Sequence, residues 1–316
     1  MEKTWKFRFF PGLVGLIFLL SACTQPTQET ATALPKNKLN QLKLEAACKN
    51  DPLIAEVKKD LKDKVSVLEL MKVYLQGLEE DASPTSPYMK KLERLFACGL
   101  ADDVVEGHLY GLTLVLKKRE HPYGGFLNQV WGTTLGSVSP WDGKMLQPIS
   151  AEELEFYSQG FEKGHALTFL GINCFKEYEE SPLNIAGMKV LSVWMRLKDV
   201  PEEEKLKYGY DKKGGLFIAG KAESVNPENS GKDIFQLNYR WKNLENPAPA
   251  KYLIDEIVRI ADGLYLGELL LATECLFEDY DPEAGPGKYK YEGFGYFLLL
   301  DDRWNKERER LFPAVQ

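Results

Sequence analysis

The segment that most restricts the fold is a pair of apolar runs joined by a short turn, residues 252–273, with the sequence YLIDEIVRIADGLYLGELLLAT. Asp262-Gly263 between two such runs is a strong signal for a two-residue β-hairpin turn. A two-residue turn at Asp262-Gly263 makes Ala261 pair with Leu264. In that strand register, both faces of the hairpin are largely apolar. A strand pair buried on one side only would alternate between apolar and polar residues. We therefore expect this hairpin to be covered on both sides, as in a small barrel with packed helices.

The chain from about Val104 onward has a similar texture. Aromatic and β-branched runs separated by glycines predict at least seven strands with antiparallel turns. Capping signals at Ser150 and Pro201 and the run 303–312 predict additional helices. We predict an α+β fold, in which a small N-terminal helical segment precedes a mainly antiparallel, barrel-like domain at 104–316. The predicted strands are 107–117, 169–178, 215–222, 234–241, 252–261, 264–273 and 294–300.

Two strings in this region carry a resemblance. DEIVRIADGLYLG at 255–267 and FQLNYRWKNL at 235–244 resemble parts of uncharacterised bacterial proteins of lipocalin-like build. The resemblance covers about residues 235–273, a minority of the chain. It implies a β-barrel architecture, and it implies no catalytic activity because that family has none assigned. The helical segment and residues 157–210 are not covered by it.

The N-terminus has the pattern of an export signal. Lys3, Lys6 and Arg8 precede an apolar stretch at 9–20, which is too short for a spanning helix and is typical of a signal peptide. The stretch ends in Leu20-Ser21-Ala22-Cys23, which resembles the lipobox of bacterial lipoprotein precursors. That resemblance implies removal of residues 1–22 and attachment of lipid to Cys23.

The lipid anchor has consequences for location. Stable membrane attachment takes at least two acyl chains, and a lipoprotein cysteine carries three. Thr24, where an Asp would retain the protein in the inner membrane of a Gram-negative bacterium, favours the periplasmic face of the outer membrane. Residues 23–37 contain few large apolar side chains and two prolines. They predict a flexible tether between the lipid and the folded body.

Residues 38–103 have helical periodicity. Asp51-Pro52, a capping box that begins at Ser66, and Ser86-Pro87 each mark the start of a helix. Cys48 and Cys98 bracket this segment, and an exported protein is in an oxidising compartment, so we predict that they form a disulfide. The helical segment either covers the main domain or docks a partner, and the sequence leaves both alternatives open.

Three charged residues are the first candidates for a ligand site, because the predicted register places Asp255, Arg259 and Glu268 on one hairpin face. If that face lines the interior, Arg259 would anchor the polar head group of a ligand. If it faces water, the pair of Arg259 and Glu268 is worth at most ~1 kcal/mol. Arg240 on the preceding strand would extend the same polar stripe or its solvent face.

An uncharged, glycine-rich stretch at 124–141 contains Trp131 and Trp141. These residues either close the mouth of an apolar pocket or belong to a buried connection. The remaining cysteines, Cys174 and Cys275, have no spacing typical of a zinc site. We accordingly predict no metal and no cofactor.

Composition and the absence of known motifs exclude several classes of function. With 47 acidic against 40 basic residues, the chain lacks the positive charge that nucleic-acid binding requires. No nucleophile elbow, phosphate-binding loop or zinc-protease motif is present, so no catalytic residue is predicted. The favoured hypothesis is a membrane-anchored, non-catalytic binding module for an apolar or amphipathic ligand or an envelope protein. The alternatives are an envelope hydrolase with Asp255 or Glu268 as acid and base, and a structural lipoprotein that docks an assembly complex through residues 38–100.

Overall fold

The computed structural model of the chain describes residues 39–116, 140–158, 166–177 and 182–312. The lipobox with Cys23, the tether and Trp131 lie outside these residues. The described residues all belong to one compact unit that spans 36–316. No helix within the described ranges has the length and apolar character needed to cross a membrane.

Eight antiparallel strands close into a barrel, which confirms the prediction of an antiparallel β-barrel. Around the barrel the order is β3-β2-β1-β9-β8-β7-β6-β5, and pairing of β5 with β3 closes it, so no long edge is left unpaired. A two-residue strand, β4, pairs with β5 only. The bounds are β1 Gly107–Leu116, β2 Trp141–Pro148, β3 Ala166–Phe175, β4 Lys198–Asp199, β5 Lys212–Glu223, β6 Asp233–Asn238, β7 Leu253–Ala261, β8 Leu264–Ala272 and β9 Tyr291–Leu300.

Strand β2 was absent from the predicted set. Its Asp142-Gly143 dipeptide has the composition of a turn, but in the structure it lies at a register shift inside the strand. Gly143 has φ 129°, and a Cβ at that position would lie 1.9 Å from the carbonyl oxygen of Leu109. The glycine is therefore required by the close approach of β1 and β2.

The β7–β8 hairpin has the predicted turn but not the predicted faces. Ala261 lies opposite Leu264, and a register shift between Arg259 and Ala261 then places Glu256 opposite Glu268. One extra residue in a strand moves every later side chain to the other face. The prediction that Asp255, Arg259 and Glu268 share a face is therefore wrong for Glu268, which points outward whereas Asp255 points inward.

The N-terminal part of the described chain contains three helices, which cover the outer wall of the barrel. Asp51 accepts a hydrogen bond from the amide of Ile54 at the start of the first helix, and Ser66 caps the second. A disulfide joins Cys48 to Cys98, whereas Cys174 and Cys275 are free thiols. The apolar faces of the helices share one core with outward residues of β7, β8 and β9. The helices are α1 Pro52–Leu61, α2 Val67–Glu80 and α3 Pro87–Cys98.

Four more α-helices lie among the described residues: α4 Ala151–Ser158, α5 Pro182–Trp194, α6 Glu202–Tyr208 and α7 Asp302–Leu311. Asp301 caps α7 by accepting hydrogen bonds from the amides of Arg303 and Trp304, and the Trp304 side chain is buried. Met188 and Leu191 on α5 pack with Phe175 at the end of β3. Helix α5 therefore covers the barrel beside the polar residues of its interior.

Candidate functional site

A fully buried lysine lies in the barrel interior. Lys144 on β2 has a side chain that is 2% exposed, and its Nζ is 2.8 Å from Oδ2 of Asp255 on β7. Nζ also donates to the Tyr239 hydroxyl at 2.6 Å and to Oδ1 of Asn173 on β3 at 2.7 Å. Because β2 and β7 are not neighbours, this ion pair crosses the interior of the barrel.

The donor groups that contact Lys144 or its partners, those of Tyr239, Trp141 and Asn173, all have acceptors. The Tyr239 hydroxyl donates to Oδ2 of Asp255 at 2.8 Å, and Trp141 Nε1 donates to Oδ1 of Asn173 at 3.2 Å. The Asn173 amide donates to the Gly215 carbonyl at 3.1 Å and to the Tyr239 hydroxyl at 3.2 Å. By contrast, Oδ1 of Asp255 is buried and has no hydrogen-bond partner within the described part of the chain.

The environment of Lys144 is otherwise aromatic. Burial lowers the pKa of Lys144, and the Asp255 carboxylate acts in the opposite direction. Burial together with the same carboxylate raises the pKa of Tyr239 well above its usual value. Because Nζ has three acceptors, one of them a carboxylate, we treat the pair as charged. Four rings have centroids between 5.2 and 5.5 Å from Nζ: Trp141, Phe217, Tyr239 and Phe297.

A cavity of about 30 Å³, measured by the positions open to the centre of a water molecule, adjoins the ion pair. That space holds about two water molecules. The described interior is therefore largely filled by side chains, as expected for an eight-stranded barrel. Besides the ion pair, its described lining comprises Thr113, Trp141, Asn173, Phe175, Met195, Tyr239, Leu253, Leu269 and Phe297.

The described residues that were predicted for the site lie in four different places. Asp255 and Trp141 line the cavity. Arg259 instead pairs with two loops, because its Nε is 2.8 Å from Asp102 and its NH1 is 2.9 Å from Asp262. Arg259 therefore holds two loops beside the barrel. The cation in the interior is Lys144.

Glu268 lies on the outer face of the wall, directly opposite Glu256, and both side chains are fully buried. The loop after β5 covers them. The Ser224 hydroxyl and the Val225 amide each donate to Glu256 at 2.6 Å, and the Asn226 amide donates to Glu268 at 2.8 Å. Burial raises the pKa of Glu256 to about 8, and the charge of Glu268 adds to the increase.

Arg240 also lies outside the interior, where it is enclosed by tyrosine rings. Its guanidinium carbon is 3.9 Å from the ring centroid of Tyr289 and 4.9 Å from that of Tyr280. It also donates to the Tyr291 hydroxyl. The side chain is buried, so Arg240 packs a long loop against the barrel and does not extend a polar stripe with Asp255.

The geometry is unfavourable for the carboxylate acid–base hypothesis. Asp255 and Glu268 point to opposite faces of the same wall and cannot act on one substrate. Glu256 and Glu268 do face each other, but the loop residues Ser224, Val225 and Asn226 cover them. Burial also raises the pKa of Cys174 to about 12, so this thiol is neutral and poorly suited to nucleophilic attack.

The sequence analysis missed Lys144, Asn173 and Tyr239. Lys144 belongs to the strand that was not predicted. Asn173 and Tyr239 lie in the predicted strands 169–178 and 234–241, but neither was selected as a site residue, and in the structure Tyr239 directly follows β6. One signal was present, since Tyr239 alternates with Phe235 and Leu237, two residues that also face inward. No group of three or more histidine, cysteine or acidic side chains suited to a metal occurs in the described ranges.

Comparison with protein-family models, with curated proteins and with solved structures gives no match for this chain. The geometry of the barrel interior and the N-terminal sequence are therefore the observations that bear on function.

Proposed function

We propose that this chain is a lipid-anchored envelope protein of lipocalin-like build, whose barrel binds a small ligand beside the Lys144–Asp255 ion pair. The lipobox at residues 20–23 supports attachment to the membrane, on the periplasmic face of the outer membrane. The barrel then acts as a non-catalytic binding module held near the bilayer by the lipid on Cys23.

The observation that carries the ligand proposal is the ion pair itself. A buried ion pair contributes little to stability, and replacing one by well-packed apolar residues is often neutral or stabilising. The interior of this barrel nevertheless contains Lys144 and Asp255 beside a cavity, and one carboxylate oxygen of Asp255 has no hydrogen-bond partner among the described residues. An apolar pocket with a few convergent polar groups and a perturbed pKa is the usual form of a ligand site.

The size of the cavity restricts the ligand. About 30 Å³ of free space admits water-sized groups, so a larger ligand must displace side chains at the lining. Met195 is the most adaptable of these, because its thioether is unbranched and turns about several bonds. The proposal is therefore a small molecule, or one small group of an amphipathic molecule, rather than an entire lipid inside the barrel.

The test compares the wild-type protein with a variant whose polar pair is replaced by residues of similar shape, Lys144→Met with Asp255→Asn. Both are extracted in mild detergent as mature, lipidated proteins. The small molecules released on unfolding are then identified by mass spectrometry. We expect at least one compound that is released by the wild type and not by the variant. Identical release profiles would contradict the proposal.

The anchor has its own test. Radiolabelled palmitate should be incorporated into the wild type and not into a Cys23→Ser form, which should also retain its leader. Labelling that persists in the serine form would rule out attachment at this cysteine.

A further inference from the structure

The geometry points to a ligand class for the barrel, an inference that rests on the proposed function. We infer that the cavity selects a neutral molecule that donates a hydrogen bond through an O–H or N–H group. A carboxylate head group and an ammonium head group are both disfavoured.

The first step concerns donors. Lys144 gives its three hydrogens to Asn173, Tyr239 and Asp255. Tyr239 donates to Asp255, and Trp141 donates to Asn173. A carboxylate entering this cavity would therefore find these donors already used. The other polar residue of the described lining is Thr113, whose hydroxyl is able to donate or to accept.

The second step concerns acceptors. Oδ1 of Asp255 is buried without a partner in the described structure, although the same residue lines the cavity. A buried acceptor that loses its hydrogen bonds to water and gains none in return is costly. A ligand O–H or N–H group that reaches this oxygen from the cavity would satisfy it, and a bond to a carboxylate is of the stronger, charge-assisted kind.

The third step concerns charge. Lys144 already neutralises Asp255 at 2.8 Å. A cationic ligand would place a second positive charge beside that lysine, and an anionic ligand would place a second negative charge beside the aspartate. Either charge would be buried without a partner of its own. A neutral donor avoids both costs, while the aromatic and aliphatic lining accommodates an apolar body.

The experiment uses four probes that share one ring: benzyl alcohol, toluene, benzoate and benzylammonium. Each is titrated calorimetrically into the full-length protein and into the Lys144→Met/Asp255→Asn variant in the same detergent, so that partitioning into detergent cancels. We expect benzyl alcohol to bind the wild type roughly tenfold more tightly than toluene or either ion. In the double variant the acceptor is a neutral amide, so the charge-assisted part of the bond is lost and the preference for benzyl alcohol over toluene should fall to about threefold or less.

A Met195→Ala protein provides the second arm, because shortening this side chain enlarges the cavity. The same order of affinities is expected there, with every Kd lower. Binding of benzoate, benzylammonium or toluene as tightly as benzyl alcohol, in either protein, would overturn the ligand class. Binding by Met195→Ala alone, in the expected order, would support the class and count against ligand binding as the native function. No binding by either protein would overturn both.

Discussion

Two neighbouring residues of strand β7 show how one wall can bury carboxyl groups in two different ways. Asp255 points into the barrel and Glu256 points outward, and their exposed fractions are 1% and 0%. The inner carboxylate is paired with the Lys144 ammonium, whereas the outer one lies opposite another carboxyl group, Glu268. Equal burial is therefore compensated in two ways, by an ammonium across the interior on one face and by hydrogen bonds from a covering loop on the other.

On the inner side, charge is balanced by a cation. On the outer side, Glu256 is fully buried opposite Glu268, and burial first and the charge of that neighbour second disfavour the ionised form of Glu256. The pKa of Glu256, about 8, is consistent with this arrangement. Removal of one partner from the inner pair is therefore expected to lower the stability of the fold, whereas a change of pH acts on the outer carboxyl group of Glu256.

The largest effect is expected from breaking the inner pair. Lys144→Met leaves Asp255 buried with no cation, which should lower the free energy of unfolding by about 3–5 kcal/mol. Adding Asp255→Asn removes the uncompensated charge and should restore most of that loss. Denaturant unfolding of the two variants and the wild type measures both steps. If Lys144→Met has the same free energy of unfolding as the wild type, burial of Asp255 does not require the Lys144 ammonium.

The next effect concerns the outer pair and pH. Folded Glu256 keeps its proton up to about pH 8, whereas an ordinary glutamate releases it near 4.5. Between these values the folded state binds more protons than the unfolded state, so the stability contributed by this group falls as pH rises. Between pH 6 and pH 8 the loss should be roughly 2–3 kcal/mol.

Substitution separates this contribution from those of other groups. Glu256→Gln should remove that part of the pH dependence, because the amide does not titrate. Glu155→Gln, at an exposed position of helix α4, is the matched control and should leave the slope unchanged. Unfolding free energies at four or five pH values provide the measurement. Equal slopes for wild type and Glu256→Gln would mean that Glu256 ionises normally.

The hairpin that contains Asp255, Glu256 and Glu268 also shows what could be predicted from the sequence. The hairpin, its turn and the barrel follow from apolar patterning, because both strands are apolar on both faces. The faces were assigned incorrectly for Glu268 because one bulge residue near Arg259 shifts the register, and no periodicity rule reveals a single extra residue.

The contacts of Lys144 with Asp255 and Tyr239 could not be predicted from the sequence, for a different reason. Lys144 is 111 residues from Asp255 and 95 from Tyr239 along the chain. Only closure of the sheet brings these strands face to face, and local pattern contains no information about which strand lies across a barrel. The local sequence around Trp141 and around Asp255 was enough to select each of them as a candidate. Lys144, which lines the same cavity, was not selected.

A smaller effect is expected from the loop that covers the outer pair. The Ser224 hydroxyl donates to Glu256 at 2.6 Å, and this bond lowers the pKa of Glu256. Ser224→Ala should therefore raise that pKa further. It should cost about 1 kcal/mol at pH 6 and roughly 2 kcal/mol at pH 9, where the acceptor is charged. Carboxyl titration by NMR and unfolding at both pH values check the two parts, and an equal cost at both would contradict the charged acceptor.

The smallest effect is expected at Arg259, the charged residue that sequence reasoning placed at the centre of the site. Its side chain is 27% exposed and pairs with Asp102 and Asp262, so water and salt screen the interaction. Arg259→Gln should lower the unfolding free energy by at most about 1 kcal/mol, and by less in 1 M salt. Lys144→Met should show the same loss at both salt concentrations, because the pair it breaks is shielded from solvent. A salt-independent loss of about 3 kcal/mol at Arg259 would place this guanidinium, too, in a dry environment.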